Sequence, residues 1–138
     1  MVYDLILEGE IMDNLLPIKL KTVVLDCPDV RTLSDFYARM LGWKSMYADD
    51  EWADIGSPEG GTKLGFQRND DYVPPVWPEE PPAQQQMLHL DFYVSSEEQM
   101  EKAVAHAVSC GARKAEVQYD SRWTVMIDPA GHPFCFVI

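Results

Sequence analysis

Trp123-Thr-Val-Met-Ile-Asp-Pro-Ala-Gly-His-Pro-Phe-Cys-Phe-Val-Ile138 closes the chain and reads as a strand, a tight turn and a final strand. Pro129 fixes φ for the turn, and Gly131 supplies a position where φ can be positive. The same punctuation occurs once before, in Trp52-Ala-Asp-Ile-Gly-Ser-Pro-Glu-Gly60. Trp52 and Trp123, Pro58 and Pro129, and Gly60 and Gly131 align under a single shift. This spacing makes the chain a duplication, so every element in one half should have a counterpart in the other.

Working outward, Lys19 to Cys27 is rich in β-branched residues and reads as a strand that ends at Pro28. Asp29 is a good helix N-cap, and Leu33, Phe36, Tyr37, Met40 and Leu41 fall on one helical face that Gly42 terminates. Trp43–Tyr47, Glu51–Ile55 and Lys63–Gln67 supply three more strands, which makes the first unit βαβββ. Residues 69–86 contain Pro74, Pro75, Pro78, Pro81 and Pro82, a density that predicts an extended connector. Met87–Val94 then repeats the first strand, and Ser95-Ser-Glu-Glu98 offers a capping box. Met100, Ala103, Val104, Ala107 and Val108 repeat the helical face that Gly111 ends, and Lys114–Tyr119, Trp123–Ile127 and Pro133–Ile138 complete a second βαβββ. The expected fold class is α+β: two tandem βαβββ modules forming a curved, mostly antiparallel cup with helices outside. Module one spans 19–68, the connector 69–86 and module two 87–138. Residues 1–18 have no counterpart and read as an N-terminal arm, with Met12 an alternative start.

A chain of 138 residues with 46% apolar content is one domain's worth and enough for a real core. The N-terminal stretch lacks the pattern of a secretory signal, and no apolar run approaches membrane-spanning length, so the expected location is cytoplasmic. Cys27, Cys110 and Cys135 are odd in number and widely spaced, which fits reduced thiols better than a disulfide frame. A formal net charge of −12 argues against nucleic-acid and anionic membrane partners and reads as a solvated acidic surface.

The paired βαβββ pattern with Asp26-Cys-Pro-Asp29, Phe36-Tyr37, Leu41-Gly42-Trp43, His89-Leu-Asp91 and Asp128-Pro-Ala-Gly-His-Pro-Phe134 resembles the vicinal oxygen chelate superfamily. More narrowly it resembles the glyoxalase-like branch, grouped with glyoxalase, bleomycin resistance proteins and extradiol dioxygenases. The resemblance implies a cup that takes a small-molecule ligand, and a homodimer. It also implies positions for a metal, one on each of four strands. Carried over by strand position, these are Thr22, Gln67, His89 and Cys135, of which His89 is the one first-choice ligand. Cys135 puts a soft sulfur where such proteins have a carboxylate. No cofactor is expected on this set. A divalent metal, if one binds, would use His89 and Gln67.

Strand parity adds a second constellation. If His89 faces the cup then Asp91 does too, while Leu90 and Phe92 turn to the helix; Thr22, Val24 and Asp26 face the cup from the first strand. Asp26 and Asp91 are then symmetry partners. Either they share a proton as an acid/base pair, or each accepts hydrogen bonds from backbone or from a neighbour such as Arg31 or Arg68; the second is favoured. Trp77, flanked by prolines, is a candidate roof, whereas Trp43, Trp52 and Trp123 are expected in the core. His132 is expected to be structural or exposed, and His106 at the surface. The candidate cup is therefore Val24, Asp26, Gln67, Trp77, His89, Asp91 and Cys135. Three functions fit it: a metal-free small-molecule binder, a metal-dependent lyase, isomerase or dioxygenase, and a resistance-type protein sequestering a cationic drug.

Overall fold

The computed structural model describes residues 16–138, so the arm expected over 1–18 lies outside the described residues except for its last three positions. Its elements run β1 (Thr22–Cys27), α1 (Val30–Leu41), β2 (Lys44–Ala48), β3 (Trp52–Gly56), β4 (Lys63–Arg68), β5 (Leu90–Tyr93), α2 (Glu97–Cys110), β6 (Arg113–Lys114), β7 (Trp123–Ile127) and β8 (Pro133–Val137). The strands form two open four-stranded sheets of order β1-β4-β3-β2 and β5-β8-β7-β6. Each sheet has one parallel pair, β1·β4 or β5·β8, and is otherwise antiparallel. The duplication extends to the turns. Gly60 N–H donates to Ser57 O and Gly131 N–H to Asp128 O, both at 2.9 Å, with φ of 84° and 98° at the two glycines.

The helices start where the sequence provides caps. Asp29 accepts from the Thr32 N–H at 3.1 Å, and Ser96 accepts from the Gln99 N–H at 3.1 Å. Gly42, at φ 68°, sends its N–H back to Ala38 O and closes α1. The inward face of α1 buries Leu33, Phe36, Tyr37 and Met40 as its spacing requires. The face of α2 is shallower: Met100 and Ala107 are buried, but Val108 turns to solvent.

One apolar core joins both modules on the helix side of the sheets. Phe36 and Tyr37 of α1 reach across to Phe134 of β8, with ring centroids 6.1 and 6.0 Å apart. Leu25 and Cys27 lie in this core, whereas Val24 is turned away from it and exposed, so β1 alternates as its parity requires.

Three strands are shorter than their sequences suggest: β5 runs only over Leu90–Tyr93 of the expected Met87–Val94, which leaves His89 just ahead of it, and β1 and β6 are also cut short. β1 begins at Thr22 because its parallel partner begins at Lys63. β6 ends at Lys114 because a side chain replaces its backbone beside β7. The Gln118 amide donates to Ala115 O and Val125 O and accepts from the Val125 N–H, all at 2.8 Å. The connector is tied back on itself by the Val76 N–H to Gln84 O bond at 2.9 Å.

Candidate functional site

Two cavities adjoin, the first between the modules and the second between module two and the connector, and His89, Gln86 and Pro133 line both. The first, of about 340 Å³, has Val24 and Asp26 of β1 on one side and Tyr72, His132 and connector residues on the other. The second, of about 320 Å³, lies against the inner face of β5, β8 and β7, where Asp91, Cys135, Trp123 and Val125 meet the Trp77 ring. Trp77 is fixed there because its indole N–H donates to Val117 O at 3.1 Å and its ring packs edge-on to Tyr119. Of the predicted cup, Val24 and Asp26 fall in the first cavity, Trp77, Asp91 and Cys135 in the second, and His89 in both. Gln67 lines neither cavity; it stands beside Asp26 on the neighbouring strand and donates its amide to Asp26 Oδ1 at 2.9 Å.

The two symmetry-related aspartates have separate partners. Asp26 accepts from the amides of Gln67 and Asn69, at 2.9 and 3.0 Å. The arginines expected nearby are engaged elsewhere, Arg31 with Asp50 and Arg68 with Glu51 and Asp70. Asp91 Oδ1 lies 3.2 Å from His89 Nε2. It is also the register partner of Cys135 in the parallel β5·β8 pair. Burial first, then the charge of Asp91 and a hydrogen bond to it, push the Cys135 thiol up to about 11. At neutral pH this sulfur is a protonated thiol rather than a nucleophile.

Sequence reasoning missed a network behind the first cavity. Asp128 is 4% exposed. Its carboxylate accepts from the Tyr37 hydroxyl at 2.7 Å, from the backbone N–H groups of Ala130 and His132, and from His132 Nδ1 at 2.8 Å. His132 Nε2 is thereby aimed at Tyr72, whose hydroxyl lies 3.3 Å away and donates to Ala130 O at 2.9 Å. His132 is structural, as expected, but it is also half-buried in a cavity wall. The Asp-x-x-x-His spacing across the terminal turn was the available signal. Burial, then the Asp128 charge, raises the Tyr72 phenol well above the usual tyrosine range.

The aromatic assignments divide. Trp43 packs on the main core, but Trp52 and Trp123 lie on the inner faces of their sheets. The Trp52 ring covers Gly65, where an added Cβ would stand 2.7 Å from its Cη2, and its indole N–H donates to Asp54 at 3.1 Å. His106 is exposed, with Nε2 3.0 Å from Met40 O.

The metal positions implied by the resemblance do not assemble. Thr22 packs its methyl group beside Gly65 and Trp52, and Gln67 is committed to Asp26. Among the described residues, the group of three or more His, Cys or acidic side chains that converges as metal ligands is His89, Asp91 and Cys135, with donor atoms all within 4.8 Å of one another.

A family model described as a glyoxalase-like domain matches residues 22–137, which takes in every strand and both helices of the two modules. The chain belongs to the glyoxalase-like domain family. This places it in the vicinal oxygen chelate superfamily. Solved structures agree on the fold. A glyoxalase/bleomycin resistance protein/dioxygenase family enzyme from Burkholderia phytofirmans PsJN superposes with TM-score 0.67 at 17% identity, covering 86% of this chain and 97% of that one. A possible glyoxalase from Bacillus cereus gives 0.65 at 16% identity, with 88% and 99% covered. Lactoylglutathione lyase from Agrobacterium tumefaciens gives 0.59 at 12% identity, with 88% and 93% covered. No curated protein matches the sequence. Among the described residues of this glyoxalase-like chain, no helix is long and apolar enough to cross a membrane.

Proposed function

We propose that this glyoxalase-like protein binds a small neutral or cationic molecule with an aromatic or apolar body in a two-lobed cleft that runs from the seam between its modules along the inner face of the second sheet. The observation that carries the reading is the sharing of His89 by two adjoining cavities, which makes one continuous site of a size suited to a small ligand. The choice of ligand charge is supported by the lining. Asp26, Asp71 and Asp91 contribute carboxylates, and neither cavity has a lysine or arginine in its wall. Carboxylates accept hydrogen bonds and repel anions, so the cleft favours a ligand that presents N–H or O–H groups. Trp77 and Trp123 offer flat faces in the second lobe.

The test is calorimetric titration of the full chain with matched neutral, cationic and anionic aromatic compounds found by a thermal-shift screen. Binding of the neutral and cationic compounds should weaken at least tenfold in Trp77→Ala and in Asp26→Asn. Preferential binding of the anionic set, or binding indifferent to both substitutions, would sink the reading.

A further inference from the structure

Gln86 stands where the two lobes of the cleft meet, and its side-chain oxygen is buried with no hydrogen-bond partner among the described residues. We infer that Gln86 is the specificity-determining residue of the cleft. Its oxygen accepts from an uncharged N–H or O–H at the waist of a bipartite ligand, whose polar end lies in the first lobe and whose flat apolar end lies in the second. This rests on the reading of the two lobes as one ligand site, and adds where the ligand must carry a donor and which residue selects it.

The unpartnered oxygen follows from its surroundings. Gln86 ends the connector, and the Val76 N–H to Gln84 O bond at 2.9 Å closes that segment two residues earlier. The connector's other side-chain donors on the cleft wall all have partners. Asn69 donates to Asp26, Tyr72 to Ala130 O, Trp77 to Val117 O, Gln84 to Gln85 O and Gln85 to Met87 Sδ. His89 sets Nε2 against Asp91, and Pro133, the third residue common to both lobes, has no N–H to give. Among the described residues the other buried side-chain oxygen without a hydrogen bond is Asp54 Oδ1, and it has the Lys63 ammonium 3.8 Å away.

The lobes on either side differ in chemistry. Asp26, Asp71 and the amides of Gln84 and Gln85 make the first polar, while Trp77, Trp123, Val125 and Val137 make the second flat and apolar. A ligand that fills both passes beside Gln86. The residue is half-buried, and the terminal torsion of a glutamine is soft, so a small turn of the carboxamide presents its oxygen to the cleft. That turn breaks no bond the oxygen makes, and a donor on the ligand satisfies a group that folding left unpaired. A ligand of the same shape with no donor leaves the oxygen unpaired and further from water, so the site rejects it. The amide is neutral, so the donor it suits is neutral too, and any positive charge belongs beside the carboxylates of the first lobe.

The experiment titrates the full chain by calorimetry with a matched pair of probes, aminoethyl naphthamide and its ester isostere aminoethyl naphthoate. They share a flat body and an ammonium head and differ only at the waist, N–H against O. The amide should bind the wild type roughly tenfold more tightly. In Gln86→Met, close in length and volume, the two should agree within about twofold. Gln86→Glu keeps an oxygen acceptor, so the preference for the amide should persist there. Gln86→Met should also melt no lower than the wild type, because no hydrogen bond is lost, and a lower midpoint would mean that the oxygen already has a partner. Equal binding of the two probes to the wild type, a tighter ester, or a preference that survives Gln86→Met would overturn the role of Gln86. In each of these cases amide binding that still depends on Trp77 leaves the cleft standing as a ligand site. If neither probe binds, the bipartite ligand falls and the inference with it.

Discussion

Tyr37 on α1 donates its hydroxyl to Asp128 Oδ2 at 2.7 Å, a bond between residues 91 apart that ties the helix of module one to the terminal turn of module two. Both partners are buried, and the same carboxylate holds His132. Tyr37→Phe keeps the ring packing against Phe66 and Phe134 and removes only the donor. A hydrogen bond to a buried charge of this kind is worth about 1.5–3 kcal/mol, and denaturant unfolding at neutral pH should show that loss. The pH dependence has a definite sign. Burial first and the Asp128 charge second hold the Tyr37 phenol well above its ordinary value of 10.0. The neutral form is therefore favoured in the folded chain. The stabilisation is fully present below about pH 10 and is lost as pH rises beyond it. Between about pH 8 and about pH 11 the wild type should lose more stability than Tyr37→Phe. Equal losses would mean that the bond is not made in solution.

Gln118 stands in for two residues of β-strand. Removing its amide in Gln118→Ala takes these bonds from the Val125 N–H and the Ala115 carbonyl at the edge of the second sheet, while Val125 O keeps the Ala115 N–H at 3.0 Å. Leaving polar groups unpaired there should cost about 1–3 kcal/mol. Hydrogen exchange at the Val125 amide should quicken far more than at the Val24 amide of the first sheet. Uniform exchange across both sheets would argue against the substitution acting locally.

At Gly65 an added methyl would stand 2.7 Å from Trp52 Cη2 and 2.9 Å from Thr22 Cγ2. Gly65→Ala should force the Trp52 ring off the sheet, breaking its bond to Asp54, at a cost of about 1–3 kcal/mol. Adding the same change to Trp52→Ala should cost less, because only the Thr22 clash remains. Stability measurements on the four-member cycle, with tryptophan emission, test this. Strict additivity would place the ring elsewhere.

What the sequence made legible was whatever depends on local rules. The caps Asp29 and Gly42, the buried face of α1 and the alternation of Val24 against Leu25 follow from neighbours a few residues apart. The duplicated turn settled the topology, because two copies of one motif leave few ways to pair the strands. The illegible parts depend on register and on side chains that replace backbone. Asp91 joins Cys135 only because β5 and β8 are parallel in one register, and no spacing along the chain announces that. The Gln118 side chain is equally invisible in a strand pattern. Trp52 was expected in the core because it recurs with Trp123 at equivalent points of the repeat; it lies on the inner face, where Gly65 leaves its ring a bare patch of sheet.

The Asp29 cap gives a prediction in acid. Its carboxylate accepts from both the backbone N–H and the hydroxyl of Thr32, and these two bonds, in that order, hold it below the usual carboxyl range. Asp29→Ala should destabilise the chain by about 0.5–2 kcal/mol near pH 7. A lowered carboxyl means that the folded state favours the charged form. Its contribution is present above the ordinary value of 3.8 and disappears as pH falls through the lowered one. The stability gap between wild type and Asp29→Ala should therefore narrow from about pH 6 to about pH 3. Asp29→Asn keeps an acceptor at the cap but no titrating group, so its gap from Asp29→Ala should stay constant over the same range. A constant gap for both variants would show that the cap acts through its shape and not its charge.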